Sequence, residues 1–184
     1  MNYSEYQNSR NLAWEVLLRE RVASLPVKIS RVCRQMGISV RYYDPEDEND
    51  GYSTILDGAP VIFVKQDCIR VRQRFTVAHE LGHILLGHVG EYILVNREPS
   101  SKDNPIEQAA NVFASRLLAP ACVLWALDAW TAEDIMSLCD ISRQAAEYRA
   151  ERMAELRQRG KFLTHPLEKQ VYEQFRGFIE SRRL

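Results

Sequence analysis

Hydrophobic positions recur along this chain with two different periods, and the change from one to the other divides it into helical ends around a short β-rich stretch. From Leu12 to Leu25, Leu, Ala and Val fall at helical spacing and predict a first amphipathic helix. A second is predicted from Pro26, which suits a first helical turn. Ile29, Val32, Cys33 and Met36 recur there at i, i+3, i+4 and i+7, and Gly37 stands where a left-handed cap is wanted. Ile38 to Tyr43 alternates and is β-rich, which predicts a strand running into an acidic loop from Asp44 to Gly51. Two further strands, Ser53 to Leu56 and Val61 to Val64, flank Asp57-Gly58, a pair that tolerates the positive φ angles of a type I′ turn. Pro60 has no N–H for a ladder, so the second of these strands should begin at an edge or outside the pairing.

Beyond the strands the period returns to that of a helix. A long helix is predicted from about Ile69 to Leu86, stopping at Gly87, then a loop from about Asn96 to Asp103. Asn104-Pro105 reads as N-cap and first helical position of the next helix, whose stripe is Ile106, Ala110, Phe113 and Leu117 and which ends before Pro120. Thr131-x-x-Asp134 has the form of a capping box, Cys139-Asp140-Ile141 that of a short turn, and Ser142 can cap a helix with Ala146, Ala150, Met153 and Leu156 on one face. A final amphipathic helix follows His165-Pro166. The fold class expected is α+β.

Composition adds exclusions. With 46% hydrophobic and 27% charged residues, the 184-residue chain can bury a core, so disorder is excluded. A net charge of -1 argues against a protein that mainly coats nucleic acid or an anionic membrane. The charge is uneven, however. Residues 141–184 carry 10 Lys and Arg against 6 Glu, a local +4, which leaves the first 140 residues at -5. Cys33, Cys68, Cys122 and Cys139 form no C-x-x-C pair and read as reduced core thiols. The N-terminus lacks the basic start and apolar stretch of a signal peptide, and no window approaches the roughly 18 apolar residues of a membrane span, so a cytoplasmic protein without membrane contact is expected.

The chemistry concentrates in Phe75-Thr76-Val77-Ala78-His79-Glu80-Leu81-Gly82-His83, an H-E-x-x-H motif inside the long helix. At about 100° per residue, His79 and His83 lie one turn apart on nearly the same azimuth, so both imidazoles can reach one metal ion. Glu80 sits to the side, where a general base takes a proton from an activated water. Burying these three without partners would cost several kcal/mol, and a metal is the economical partner. A catalytic zinc takes a third protein ligand. Glu107, 24 positions after His83, is spaced for that role and equally for capping its own helix from three residues past Asn104; Asn111, one turn on, can support a ligand histidine. His88, Tyr92 and Arg72 are the available oxyanion donors. Trp14, Trp125 and Trp130 read as core or junction residues and His165 as a loop histidine.

Arg72-Gln73-Arg74-Phe75-Thr76-Val77-Ala78-His79-Glu80-Leu81-Gly82-His83, followed by Glu107-x-x-Ala110-Asn111-x-Phe113-Ala114-x-x-Leu117-Leu118-Ala119-Pro120, resembles the ImmA/IrrE metallopeptidases, gluzincin-like zinc proteins of bacteria, phages and mobile elements. The likeness runs from about Leu12 to about Leu156; Ala119 departs from it, many relatives having Met there. It implies a minimal zincin-like domain over residues 1–125, with a small three-stranded sheet, an active helix and a glutamate-bearing helix. It also implies zinc ligands His79, His83 and Glu107, with Glu80 as base. Residues 126–184 would be a C-terminal helical region resembling a helix-turn-helix, with Arg143, Gln144 and Glu147 exposed. The function implied is zinc-dependent cleavage of a specific cytoplasmic protein, a helix-turn-helix repressor of a phage or mobile element. Substrate backbone would add to an edge strand beside the active helix, for which Val61 to Val64 is the candidate, a plain core strand being the equal alternative for that segment. The competing function is a transcriptional or stress regulator that contacts DNA or protein through its C-terminal helices and uses zinc structurally.

Overall fold

A computed structural model describes residues 1–44, 49–89 and 104–183. The helices are α1 (Tyr3–Arg19), α2 (Ile29–Gln35), α3 (Arg70–Leu85), α4 (Pro105–Leu118), α5 (Ala121–Ala126), α6 (Ala132–Cys139), α7 (Arg143–Gln158) and α8 (Pro166–Arg183). The strands, between α2 and α3, are β1 (Ser39–Tyr43), β2 (Gly51–Leu56) and β3 (Ala59–Lys65). The chain is thus α+β, and it divides into two compact units, neither of them a continuous stretch: residues 1–10 with 28–114, and residues 11–27 with 115–184.

The first unit holds the sheet, in the order β1-β3-β2. β1 runs parallel to β3 from Ser39 opposite Val61, and β2 runs antiparallel to it with Leu56 opposite Ala59. Asp57 and Gly58 have φ of 52° and 76°, the expected I′ turn. Pro60 lies just before the first β1 partner, so its missing N–H falls where β1 does not reach. Of the two readings of Val61 to Val64, a substrate-receiving edge and a plain core strand, the structure takes the second: β3 is central, with Ile62 and Val64 fully buried, and the edges are β1 and β2. Edge position depends on strand order, which the local alternation does not encode. On one face of the sheet Tyr43, Tyr52 and Phe63 cluster, Tyr52 and Phe63 stacking at 4.9 Å. Helix α3 packs on β2 and β3, and α2 on α3 and β1.

Close approach of α3 and α4 rests on Gly82. A Cβ there would come within 2.9 Å of the Phe113 ring and 3.3 Å of Ala110 Cα. Ala78, Leu81, Ala110, Phe113 and Ala114 are fully buried around this contact. Ile106, expected on the same stripe, is instead 46% exposed, because the stripe starts at the solvent end of the helix.

The second unit is built on Leu17, Leu118, Leu124, Ile135, Met153, Phe175 and Ile179. Helix α5 packs on α8 and α6 on α7. The capping box at Thr131 and Asp134 and the Ser142 cap form as expected, and Asp140 turns the chain between α6 and α7 in the left-handed region. Gln174 Nε2 donates to the carbonyls of Leu17 and Val22.

Three local expectations are corrected. Helix α1 begins nine residues early, since Asn2 and Glu5 exchange side-chain-to-backbone hydrogen bonds as a capping box, and it stops at Arg19, with Arg21 left-handed, rather than at Leu25. Pro26 does not open α2, which starts at Ile29. Helix α5 has no counterpart in the sequence pattern, because Pro120 ends one helical stripe without showing that it can start another helix. The stretch Pro105–Ala126 is also long and apolar enough to cross a membrane by composition alone, contrary to the sequence expectation, but it is mostly buried inside the protein, as a core helix is. The predicted loop from Asn96 to Asp103 lies outside the described residues.

Candidate metal centre

H-E-x-x-H falls within α3, where Thr76, Val77, Ala78, Glu80, Leu81, Gly82 and His83 are buried. Asn104 Oδ1 accepts from the Ile106 N–H and so starts α4 as predicted, which sets Glu107 in the first turn facing α3. His79 Nε2 lies 2.9 Å from His83 Nε2 and 3.1 Å from Glu107 Oε2, and His83 Nε2 lies 3.4 Å from Glu107 Oε1. One donor atom from each of the three lies within 4.8 Å of the others, a cluster able to hold a metal ion. Of the two readings of Glu107, capping and convergence, the carboxylate takes the second: it is turned to the imidazoles.

Surrounding groups define the proton positions. His79 Nδ1 is 2.9 Å from Asn111 Oδ1, as the helical spacing of Glu107 and Asn111 suggests. An amide oxygen only accepts, so this contact takes a proton on His79 Nδ1, and with Nε2 deprotonated, as ligation requires, the Nε2 lone pair turns to the cluster. When the imidazoles carry a proton at Nε2, hydrogen bonds from His79 first, and from His83 second, hold the Glu107 carboxyl well below the usual carboxylate range, against the opposing effect of burial. Two imidazoles and a carboxylate are the donor set suited to zinc with an open position.

Glu80 is fully buried beside this cluster. Its Oε2 accepts a 2.8 Å hydrogen bond from Ser53 Oγ, on β2. Sequence reasoning misses Ser53, although a small polar residue at an inward strand position is a signal. His88, by sequence a helix-end histidine or an oxyanion donor, stands behind His83, with their Nδ1 atoms 3.1 Å apart. Burial foremost, and His83 next, hold its imidazole below the ordinary histidine value. Arg72 hydrogen-bonds Asp50 at 2.6 Å, and Tyr92 lies outside the described residues. Cys33, Cys122 and Cys139 are buried thiols outside any disulfide, as expected, whereas Cys68 is half-exposed beside Asp50. His165 packs against Trp14 and accepts from the Leu167 N–H at the start of α8.

A family model described as Peptidase_M78, IrrE N-terminal-like domain, matches residues 33–151, more than half of the chain. No curated protein matches it. The matched span contains His79, Glu80, His83, Glu107 and Asn111.

Proposed function

The chain belongs to the ImmA/IrrE family of metallopeptidases, and from that premise we propose that it is a zinc-dependent endopeptidase acting on a specific cytoplasmic protein. The observation that carries this reading is the buried convergence of His79, His83 and Glu107 with a fourth buried polar group, Glu80, beside them. His79 and His83 would hold zinc through Nε2, and Glu107 through its carboxylate. When bound, zinc supplies Lewis-acid polarisation of a peptide carbonyl and lowers the pKa of a water to about 7.

The remaining work falls to side chains. Asn111 keeps the His79 proton on Nδ1. Glu80 accepts the proton of the attacking water and delivers it to the leaving amine. Ser53 suits both states of that base, since a hydroxyl donates to the carboxylate and accepts from the carboxylic acid. Because Ser53 belongs to an edge strand, β2 takes the place of Val61 to Val64 as the strand that receives substrate backbone.

The family resemblance supports a helix-turn-helix repressor of a phage or mobile element as the substrate, so that cleavage switches on transcription. The DNA-binding alternative has weaker support, since Arg143 on α7 is engaged by Glu133 at 2.8 Å and approached by Glu147. The test is Glu80→Gln: zinc content stays at wild-type level and cleavage of a co-encoded repressor disappears. Retained cleavage overturns the assignment of Glu80.

A further inference from the structure

Helix α3 ends in a Schellman motif. Gly87, at φ 75°, donates its N–H to the carbonyl of Ile84, and the His88 N–H reaches back 2.9 Å to the carbonyl of His83. The motif brings the residue after the left-handed position against the residue five before it, here His88 against His83. That contact is normally apolar.

The same chain supplies the comparison. Four other helices, α1, α2, α5 and α7, close with the same two hydrogen bonds around a left-handed Arg21, Gly37, Asp128 or Gly160. The side chains so paired are Leu17 with Val22, Cys33 with Ile38, Leu124 with Ala129, and Leu156 with Lys161. Every one of those pairs has an apolar member, and three are apolar on both sides. Only at α3, among these five, do two imidazoles meet.

We propose that His88 is a positioning residue for His83, delivered by the helix stop itself: its Nδ1 accepts the His83 Nδ1–H and so fixes the tautomer whose Nε2 lone pair faces Glu107 and His79. A single proton fits between two Nδ1 atoms 3.1 Å apart. Were it held by His88, His83 would carry its own proton on Nε2 and could not ligate through that atom. With the proton on His83 Nδ1, the proton of neutral His88 sits on Nε2, away from the contact. The ring planes meet at 64°, so the contact is edge-directed rather than stacked. His88 lies across the His83 ring from the cluster and is not a fourth donor to it. An outer hydrogen bond of this kind orients a ligand histidine and raises its basicity.

The proposal rests on the metal reading above, and its test separates the two. Zinc affinity of the full chain is measured by competition with a chromophoric chelator for wild type, His88→Ala and His88→Asn, the last restoring an acceptor near Nδ1. His88→Ala should weaken zinc by about 10- to 100-fold and His88→Asn should stay close to wild type. Thermal midpoints of the metal-free variants should agree with each other. In zinc-loaded protein labelled with nitrogen-15 at histidine, the His83 Nδ1–H resonance should persist in wild type and His88→Asn and exchange away in His88→Ala. Equal zinc affinity in wild type and His88→Ala, or an equal loss in both variants, overturns the role of His88 alone. Wild-type chain that takes up no zinc overturns the metal reading and this proposal with it.

Discussion

In the second unit the buried guanidinium of Arg149 reaches the backbone, its Nε donating to the Ala119 carbonyl at 2.8 Å. In the first, buried Glu80, His83 and Glu107 are answered by other side chains, Ser53, His88 and His79. A bond to a carbonyl ties a side chain to a neighbouring segment and stabilises the fold. Side chains that bond one another hold donor atoms at fixed positions, and in this unit three of those atoms converge on one point. The contrast teaches that burial of charge alone does not mark a site; what distinguishes one is whether the partners' donor atoms converge on a common point.

The largest effect that can break this contrast is functional. Glu80→Gln should cut turnover by about 10²- to 10⁴-fold, the usual contribution of general acid–base catalysis, while zinc content and thermal midpoint stay unchanged. Its counterpart is Arg149→Met, which should cost about 1–3 kcal/mol in urea denaturation by leaving the buried Ala119 carbonyl unpaired, with zinc affinity unaltered. A zinc affinity that falls with Arg149 would erase the contrast. Gly82→Ala belongs to both sides: its Cβ collides with Phe113, so about 1–3 kcal/mol of stability and some zinc affinity should go together.

A smaller effect sharpens the contrast through pH. The folded-state pKa of Glu107 is depressed in metal-free protein, so its contribution is present above its unfolded value near 4.5 and is lost as pH falls toward the folded value. Metal-free wild type should therefore lose more stability between pH 5 and pH 3 than Glu107→Gln, read from denaturation midpoints. The smallest effect shows what the units share. Burial pushes the Cys33 and Cys122 thiols up to about 12, so in folded protein at pH 8 iodoacetamide should label half-exposed Cys68 well before either.

Features carried by neighbours along the chain are legible in the amino-acid sequence. The spacing of His79 and His83, the stop at Gly87, the Asp57-Gly58 turn and the caps at Asn104, Thr131 and Ser142 all follow from one or two turns of chain. Glu107 is legible as a possibility with two outcomes, because cap and ligand roles share one spacing and only the packing of α4 on α3 decides which way the carboxylate turns. Strand order is not legible, since β3 is central through pairing with β1, some twenty residues away. Ser53 is hidden for the same reason: its partner is Glu80, 27 residues on. His88 stands out as a histidine near a helix end, but its role does not, because that role lies in how the helix ends.

The contact of Gly82 with Phe113 and Ala110 has a mechanical consequence. It sets how near the two helices can come, and so how near His79 and His83 can lie to Glu107. Stripping the protein with a chelator and reloading it should then be a rapid, reversible exchange at an already shaped seat, with no slow folding phase on return.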